Sequence, residues 1–232
     1  VSDAQIEVIA YAGQAHEQTF VNEGVTYRRG YLNGDGTGMG KTRESLGVFL
    51  DNYLKGRKKA VWITINQELA DQLKNDWKAL ADLSGISSDM VKMQNKINFN
   101  KLGPVKEGIL YSTYRTLIES KRLDHIKQCA GDDFDGVIIF DESHRMGNTT
   151  KAGEEGKQSK EAAQCALAAE KLRKMFPNAR VVYNSATAAT EVKNFAYADR
   201  LGLWGVGTSF ANREAFISKI ASGRLAAMEL LS

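Results

Sequence analysis

Apolar residues along this chain follow two rhythms that alternate from one end to the other. Short runs rich in β-branched and aromatic residues, bounded by polar ones, predict buried strands at Ala60–Ile65, Gly108–Tyr111, Val137–Phe140 and Arg180–Tyr183. Between them the spacing lengthens to a helical period. Leu69, Leu73, Trp77 and Leu80 recur at helical intervals, a helical stretch follows Thr113, and another runs from about Ser159 to Met175. Nearer the N-terminus, Tyr27–Leu32 predicts a strand and Arg43–Leu54 a helix. Ser2 followed three residues later by Gln5, ahead of Ile6-Glu7-Val8-Ile9-Ala10, has the form of a capping box and predicts that the chain begins with a helix. Two helices are expected near the C-terminus, around Arg213–Ile220 and Leu225–Leu231. Strands without polar alternation are buried on both faces. Repeated β-then-α order therefore predicts an α/β fold, a mostly parallel sheet with helices on both faces.

Two segments interrupt the pattern. Ile86–Lys106 is mixed and polar and contains Pro104, and Gly147–Lys160 is rich in Gly, Lys, Glu and Thr, so both are expected as surface excursions. The second follows an acidic strand end and is placed to be a mobile loop beside a site. The basic run Lys55-Gly56-Arg57-Lys58-Lys59 suits the negative end of the preceding helix.

Composition narrows the class. The 232 residues, 43% of them hydrophobic, are enough for one domain with a full core. A net charge of +3 is compatible with a nucleic-acid partner without demonstrating one. Cys129 and Cys165 have no metal-ligand spacing and form no disulfide framework, which points to a reducing, intracellular setting, cytosolic or nuclear. No apolar run reaches the length of a membrane span, so no membrane partner is expected. Because the sequence opens at Val1 and not at methionine, it is expected to be a fragment of something longer.

The chemistry concentrates where strands are expected to end. Gly34-Asp35-Gly36-Thr37-Gly38-Met39-Gly40-Lys41-Thr42 lies between the first strand and its helix. Glycines let the main chain approach a triphosphate, so Gly36, Gly38 and Gly40 predict a phosphate cradle at a helix N-terminus. Lys41 is placed to reach the β- and γ-phosphates, and the Thr42 hydroxyl to hold Mg²⁺. The strict GxxxxGK[ST] pattern fails at its first position, where Asp35 stands. A second cluster, Asp141-Glu142-Ser143-His144, ends the Val137–Phe140 strand. Asp141 is the expected second anchor for Mg²⁺. Glu142 is placed to orient and deprotonate the attacking water, and His144 to report the state of the γ-phosphate. Asn184-Ser185-Ala186-Thr187 closes the next apolar strand.

GxGKT, DESH and SAT, in that order and each at a strand end, resemble motifs I, II and III of the superfamily 2 helicases and translocases. The resemblance narrows to the strawberry notch family on the phosphate loop, on Phe134–Arg145, and on Ser185–Glu191 running through Leu201-Gly202-Leu203-Trp204-Gly205-Val206-Gly207-Thr208. It covers about Gln5 to Phe210. Two positions depart from the family pattern: Thr42 where members often carry glycine, and Ser143 where cysteine is commoner. Thr42 restores a hydroxyl ligand for Mg²⁺.

The resemblance implies a RecA-like P-loop NTPase domain, the first of the two that make such a motor, with ATP and Mg²⁺ as cofactors. It implies ATP hydrolysis coupled to movement along nucleic acid, DNA more than RNA, with Ser185 and Thr187 coupling the two. A second RecA-like domain, or a partner protein, would complete the ATP site, and the isolated domain is expected to hydrolyse ATP slowly. Gln5 is either the adenine-reading glutamine of the superfamily or only the third residue of a capping box. Asn66, with Thr64 and Gln67, stands where motif Ia would lie. Thr113 and Arg115, with Tyr114, stand where motif Ib would lie, and such groups would touch backbone phosphates. Helix N-caps explain these positions equally. Trp204 reads as core or inter-domain contact more readily than as a stacking platform. Phage and bacterial relatives of this type occur as helicase modules of anti-restriction or methylase-linked proteins. Two alternatives share these residues: an ATP-gated binding module with little turnover, and the translocase part of a restriction or anti-restriction protein.

Overall fold

The computed structural model describes residues 2–36, 38–93, 105–144, 146, 157–187, 195 and 197–229. Helix α1 (Asp3–His16) opens on the expected capping box, the Ser2 N–H donating to Gln5 Oε1 at 3.1 Å while the Gln5 N–H donates to Ser2 Oγ at 3.4 Å. A small antiparallel hairpin follows, β1 (Thr19–Asn22) and β2 (Val25–Arg28), turned by Glu23 and Gly24, both at positive φ. The single strand expected over Tyr27–Leu32 is thus divided. Its first part belongs to the hairpin, and its second is the separate strand β3 (Tyr31–Asn33) of the main sheet. Arg28 donates backbone N–H to Pro177 O and Gly30 to Arg200 O, so the chain leaves the hairpin ladder between the two strands.

From there the alternation is regular: α2 (Lys41–Leu54), β4 (Lys59–Thr64), α3 (Leu69–Ser84), β5 (Val91–Met93), β6 (Gly108–Thr113), α4 (Tyr114–Leu117), α5 (Arg122–Ala130), β7 (Val137–Phe140), α6 (Lys157–Met175) and β8 (Arg180–Asn184). Strand β5 lies inside the stretch expected as a surface excursion, and a short 3-10 turn at Asp199–Leu201 precedes α7 (Arg213–Glu229). The two helices expected near the C-terminus are one continuous element, because nothing between Ile220 and Leu225 breaks the helix. Residues 94–104 and 147–156 of the two polar stretches, the motif residues Thr37, Arg145 and Ala188–Glu191, and Leu230 and Leu231 fall outside the described residues.

The six strands run parallel in the order β3-β8-β7-β4-β6-β5. Strands β4, β7 and β8 are buried along almost their whole length, as their uninterrupted apolar runs require. Alternate residues face opposite layers. Val61, Ile63, Ile138, Phe140, Val181 and Tyr183 pack against α4, α5 and α6. On the other face Ala60, Trp62, Ile109, Ile139 and Val182 pack against Ala12 of α1, Phe49 of α2 and Trp77 of α3. A small third cluster joins Trp204 to Phe216, ring centroids 5.6 Å apart, which makes Trp204 a core residue.

This order places β8 between β3, which leads into the glycine loop, and β7, which leads into the acidic turn. All three carboxyl ends open on the same edge of the sheet, where an α/β fold presents its ligand-binding groups.

Candidate nucleotide site

The glycine loop leaves β3 and enters α2 at Lys41, two residues earlier than the periodicity suggested. Gly38 and Gly40 sit at φ +85° and +95°, a region that a side chain resists. A Cβ on Gly40 would also stand 2.5 Å from Gln5 Nε2. No side chain caps the N-terminus of the 14-residue α2, which leaves its first-turn N–H groups and the positive end of its dipole facing the loop. Lys41 folds over the same loop, donating from Nζ to the carbonyls of Asp35 at 2.8 Å and Gly36 at 3.0 Å. Of the two readings of Gln5 the capping box is the one observed: Oε1 closes it, while Nε2 donates to Met39 O at 3.3 Å and ties α1 to the loop.

Behind the loop lies a buried polar seam. Asn33 ends β3, accepts the Asp35 N–H at 3.2 Å and donates to Glu44 Oε2 at 2.7 Å. Glu44 is fully buried on α2. Burial raises its pKa, the Asn33 hydrogen bond opposes that shift, and the charge of Asp35 adds to it. The next residue, Ser45, is bonded to Asn184 at the end of β8.

The acidic turn begins where β7 ends. Asp141 donates its backbone N–H to Ile63 O and accepts at its own carbonyl from Tyr114 Oη at 2.9 Å. Its carboxylate takes a hydrogen bond from Thr64 Oγ1 at 3.2 Å on one oxygen, and Asn184 Nδ2 lies 3.5 Å from the other. Burial raises the Asp141 pKa, and so does the adjacent charge of Glu142; the Thr64 and Asn184 hydrogen bonds oppose both. Glu142 adopts φ +51°, strained for a residue with a side chain, and its carboxylate reaches the surface, 39% exposed. The two neighbouring acids therefore occupy different environments, one sunk into the sheet edge and one lifted above it.

His144 joins the acidic turn to the next motif. Its Nδ1 is 3.4 Å from Glu142 Oε2 and 3.3 Å from Ser185 Oγ. Ser185 is fully buried, donates its N–H to Asn33 O, and accepts the Thr187 N–H at 3.3 Å, with Thr187 Oγ1 at 3.5 Å. Ser143 pairs with Tyr197 Oη at 3.2 Å, a hydroxyl that also meets Ser185.

The residues present fit a nucleotide with a magnesium ion. The loop is glycine-lined at an uncapped helix N-terminus, Lys41 supplies a cation, and Thr42 with Asp141 offers the one-hydroxyl, one-carboxylate set that magnesium accepts alongside phosphate oxygens. Asp141 is partly buried and Glu142 beside it carries a second carboxylate, so a cation there would offset both charges. Among the described residues no cluster of three or more His, Cys, Asp or Glu could hold a metal.

Of the residues expected to touch nucleic acid, Thr64 and Tyr114 are instead bonded to Asp141 within this seam, whereas Asn66, Thr113 and Arg115 engage partners outside it. Asn66 is exposed beyond β4 and accepts the Leu69 N–H at the start of α3. Thr113 is buried and spends its hydroxyl on capping α4, accepting the Thr116 N–H at 3.1 Å. Arg115, two residues on, is 81% exposed and 3.5 Å from Glu161. Asn33, Glu44, Ser45 and Asn184 were missed by motif reasoning. Each asparagine is a polar residue at the last position of an apolar strand, but what it bonds follows only from the strand order that brings β3 and β8 together.

Comparison with known proteins agrees with this geometry. Residues 1–232 match the family described as P-loop containing NTP hydrolase pore-1. The chain is 40% identical over 245 residues to protein strawberry notch homolog 1 of Gallus gallus, covering all of this chain and 19% of that protein. It is 40% identical over 248 residues to protein strawberry notch of Drosophila melanogaster, covering 14% of it, and 37% identical over 241 residues to protein FORGETTER 1 of Arabidopsis thaliana, covering 18%. The chain thus spans less than a fifth of the length of these relatives. In fold it matches the Sulfolobus solfataricus SWI2/SNF2 ATPase core, solved in complex with dsDNA, at a TM-score of 0.62 and 15% identity over 99% of this chain and 41% of that one. The sheet is therefore that of a RecA-like P-loop NTPase domain, and no helix among the described residues is long and apolar enough to cross a membrane. With its whole length matching the family and its glycine loop, acidic turn and SAT segment meeting at one sheet edge, this chain belongs to the P-loop containing NTP hydrolase pore-1 family, as a relative of the strawberry notch proteins.

Proposed function

We propose that this chain is the ATP-binding half of a nucleic-acid translocase or helicase motor, hydrolysing ATP to ADP and phosphate. The observation that carries the reading is the direct hydrogen-bonded contact among three motifs that are far apart in sequence: the glycine loop and α2, the acidic turn, and the SAT segment. When bound, Mg·ATP supplies the phosphoryl group and the positive charge that neutralises its oxygens. The loop N–H groups and Lys41 Nζ, which now rests on the carbonyls of Asp35 and Gly36, would bind and orient the triphosphate. Thr42 and Asp141 would hold the metal.

Glu142 is the general base. Its strained backbone turns the carboxylate away from the partly buried Asp141 and up to where water has access, so it can take a proton while its neighbour stays committed to the metal. His144 bridges this base to Ser185. A shift of Glu142 would therefore be passed to Ser185 and Thr187 at the end of β8, the coupling that a motor needs.

The track is proposed to be DNA. The Sulfolobus neighbour was solved on double-stranded DNA, and Arg115, projecting from a helix that Thr113 caps, together with Asn66, gives polar groups for backbone phosphates without reading bases. A second RecA-like domain, or a partner protein, is proposed to close on the site and supply the arginines that hydrolysis needs, so the chain alone turns over slowly. The test is steady-state hydrolysis with and without single- and double-stranded DNA, with Lys41→Ala as the blank. Stimulation by DNA that vanishes in the Lys41 variant supports the reading, and ATP binding unaffected by Lys41→Ala opposes it.

A further inference from the structure

We propose that Asn184 is a positioning residue of this site: its buried amide ties α2, through Ser45, to Asp141, and so fixes the two metal-holding residues relative to one another. This inference rests on the nucleotide-site reading above. Strand β8 lies between β3 and β7 in the sheet, so its last residue stands between the glycine loop and the acidic turn. That residue is Asn184, fully buried, in a row that ends in apolar Val182 and Tyr183.

Every polar atom of its side chain is engaged. Oδ1 accepts from Ser45 Oγ at 3.1 Å, Nδ2 donates to Ser45 Oγ at 2.9 Å, and Nδ2 also lies 3.5 Å from Asp141 Oδ1. Ser45 is three residues after Thr42, and residues three apart share a helix face. Holding Ser45 therefore sets the rotation of α2 that presents Thr42. The contact to Asp141 is long, which aims that oxygen without competing strongly for it, while Thr64 holds the other oxygen at 3.2 Å. An apolar residue at 184 would leave Ser45 without its partner and remove one of the groups that face the Asp141 carboxylate.

The experiment measures binding of a fluorescent ATP analogue by the 232-residue chain, first in EDTA and then as Mg²⁺ is titrated in. The proteins are wild type, Asn184→Ala, Ser45→Ala and the double variant, with thermal unfolding run alongside. Loss of the bridge, at a cost of about one hydrogen bond, should raise the Mg²⁺ concentration for half-maximal effect about tenfold in each single variant. The double variant should be no worse than either single one, because both remove the same bridge. Affinity in EDTA should stay within about twofold of wild type, since loop and lysine do not depend on the bridge. An unchanged Mg²⁺ requirement in folded variants overturns the proposal, and so does a parallel loss of affinity in EDTA, which marks a purely structural residue. If Asn184→Ala does not fold, Ser45→Ala, nearly isosteric, decides alone. A wild-type chain that binds no nucleotide overturns the site reading itself, an outcome distinct from unchanged variants of a wild type that binds.

Discussion

Asn33 and Asn184 are register partners at the carboxyl ends of the adjacent parallel strands β3 and β8, and their side chains hold consecutive residues of α2. Asn33 takes Glu44 and Asn184 takes Ser45, while the Asn33 carbonyl accepts the Ser185 N–H at 3.0 Å. The helix that follows the glycine loop is thereby pinned to two strands at once, one leading into that loop and the other into the SAT segment. Buried polar groups this closely satisfied favour one arrangement over its neighbours, because any shift leaves several of them unpaired together. A site that must bring loop, acid and coupling segment into one geometry gains from that rigidity.

Gly40 is the loop position least tolerant of a side chain. Gly40→Ala meets a backbone at φ +95° and a Cβ 2.5 Å from Gln5 Nε2. It should cost about 1–2 kcal/mol in local conformation and weaken nucleotide binding by about tenfold or more, read by equilibrium titration. Adding Gln5→Ala removes the clash but not the φ penalty, so the double variant should recover only part of the affinity.

Arg200, directly before the Leu201–Thr208 segment, has a structural task. It is 1% exposed, and its guanidinium donates to the carbonyls of Arg28, Arg173, Phe176, Pro177 and Ala179, clasping the hairpin exit to the turn between α6 and β8. Burial pulls its pKa down to about 10, so it stays charged at neutral pH. Lysine cannot match five diverging acceptors. Arg200→Lys should lose about 3 kcal/mol of unfolding free energy in urea while nucleotide affinity of the folded fraction is retained.

His16 sets an acid limit on stability. It is 1% exposed, its Nε2–H donates to Val181 O at 3.2 Å, and Nδ1 has no hydrogen-bond partner. Its pKa falls to about 4, chiefly from burial; the Val181 carbonyl opposes this, and the charges of Arg180, Arg200 and Arg28 add to it. The folded value lies below the unfolded one of about 6.5, so the unfolded chain binds the proton first. The stabilisation is complete above pH 6.5 and is lost as pH falls toward 4, at about 1.4 kcal/mol per pH unit within that window. His16→Gln should show a shallower decline of urea stability between pH 6 and pH 4.5 than wild type.

The sheet was legible because buried parallel strands announce themselves. Val137–Phe140 has no polar residue to confuse the period, and its bounds coincide with β7. The capping box at Ser2 and Gln5 was legible for the same local reason. Tyr27–Leu32 misled because β-prone residues at its two ends, Tyr27 and Tyr31-Leu32, do not reveal which strand each pairs with. The division at Arg29 and Gly30 is set by hydrogen bonds to Gln18 and Arg200, far away in sequence or outside the segment. Val91–Met93 was hidden in a polar stretch, since three residues on a sheet edge need little apolar character. In the site, Lys41 and Asp141 carried their own spacing. Asn33 and Asn184 did not, because their meaning comes from a strand order in which β3 and β8 become neighbours.

The most direct measurement compares ATP hydrolysis and Mg·ATP binding in wild type and Glu142→Gln, on the same preparation. The account predicts that binding is retained and hydrolysis falls by at least about a hundredfold, the contribution expected of a positioned general base. A Glu142→Gln chain that hydrolyses ATP at the wild-type rate would contradict it.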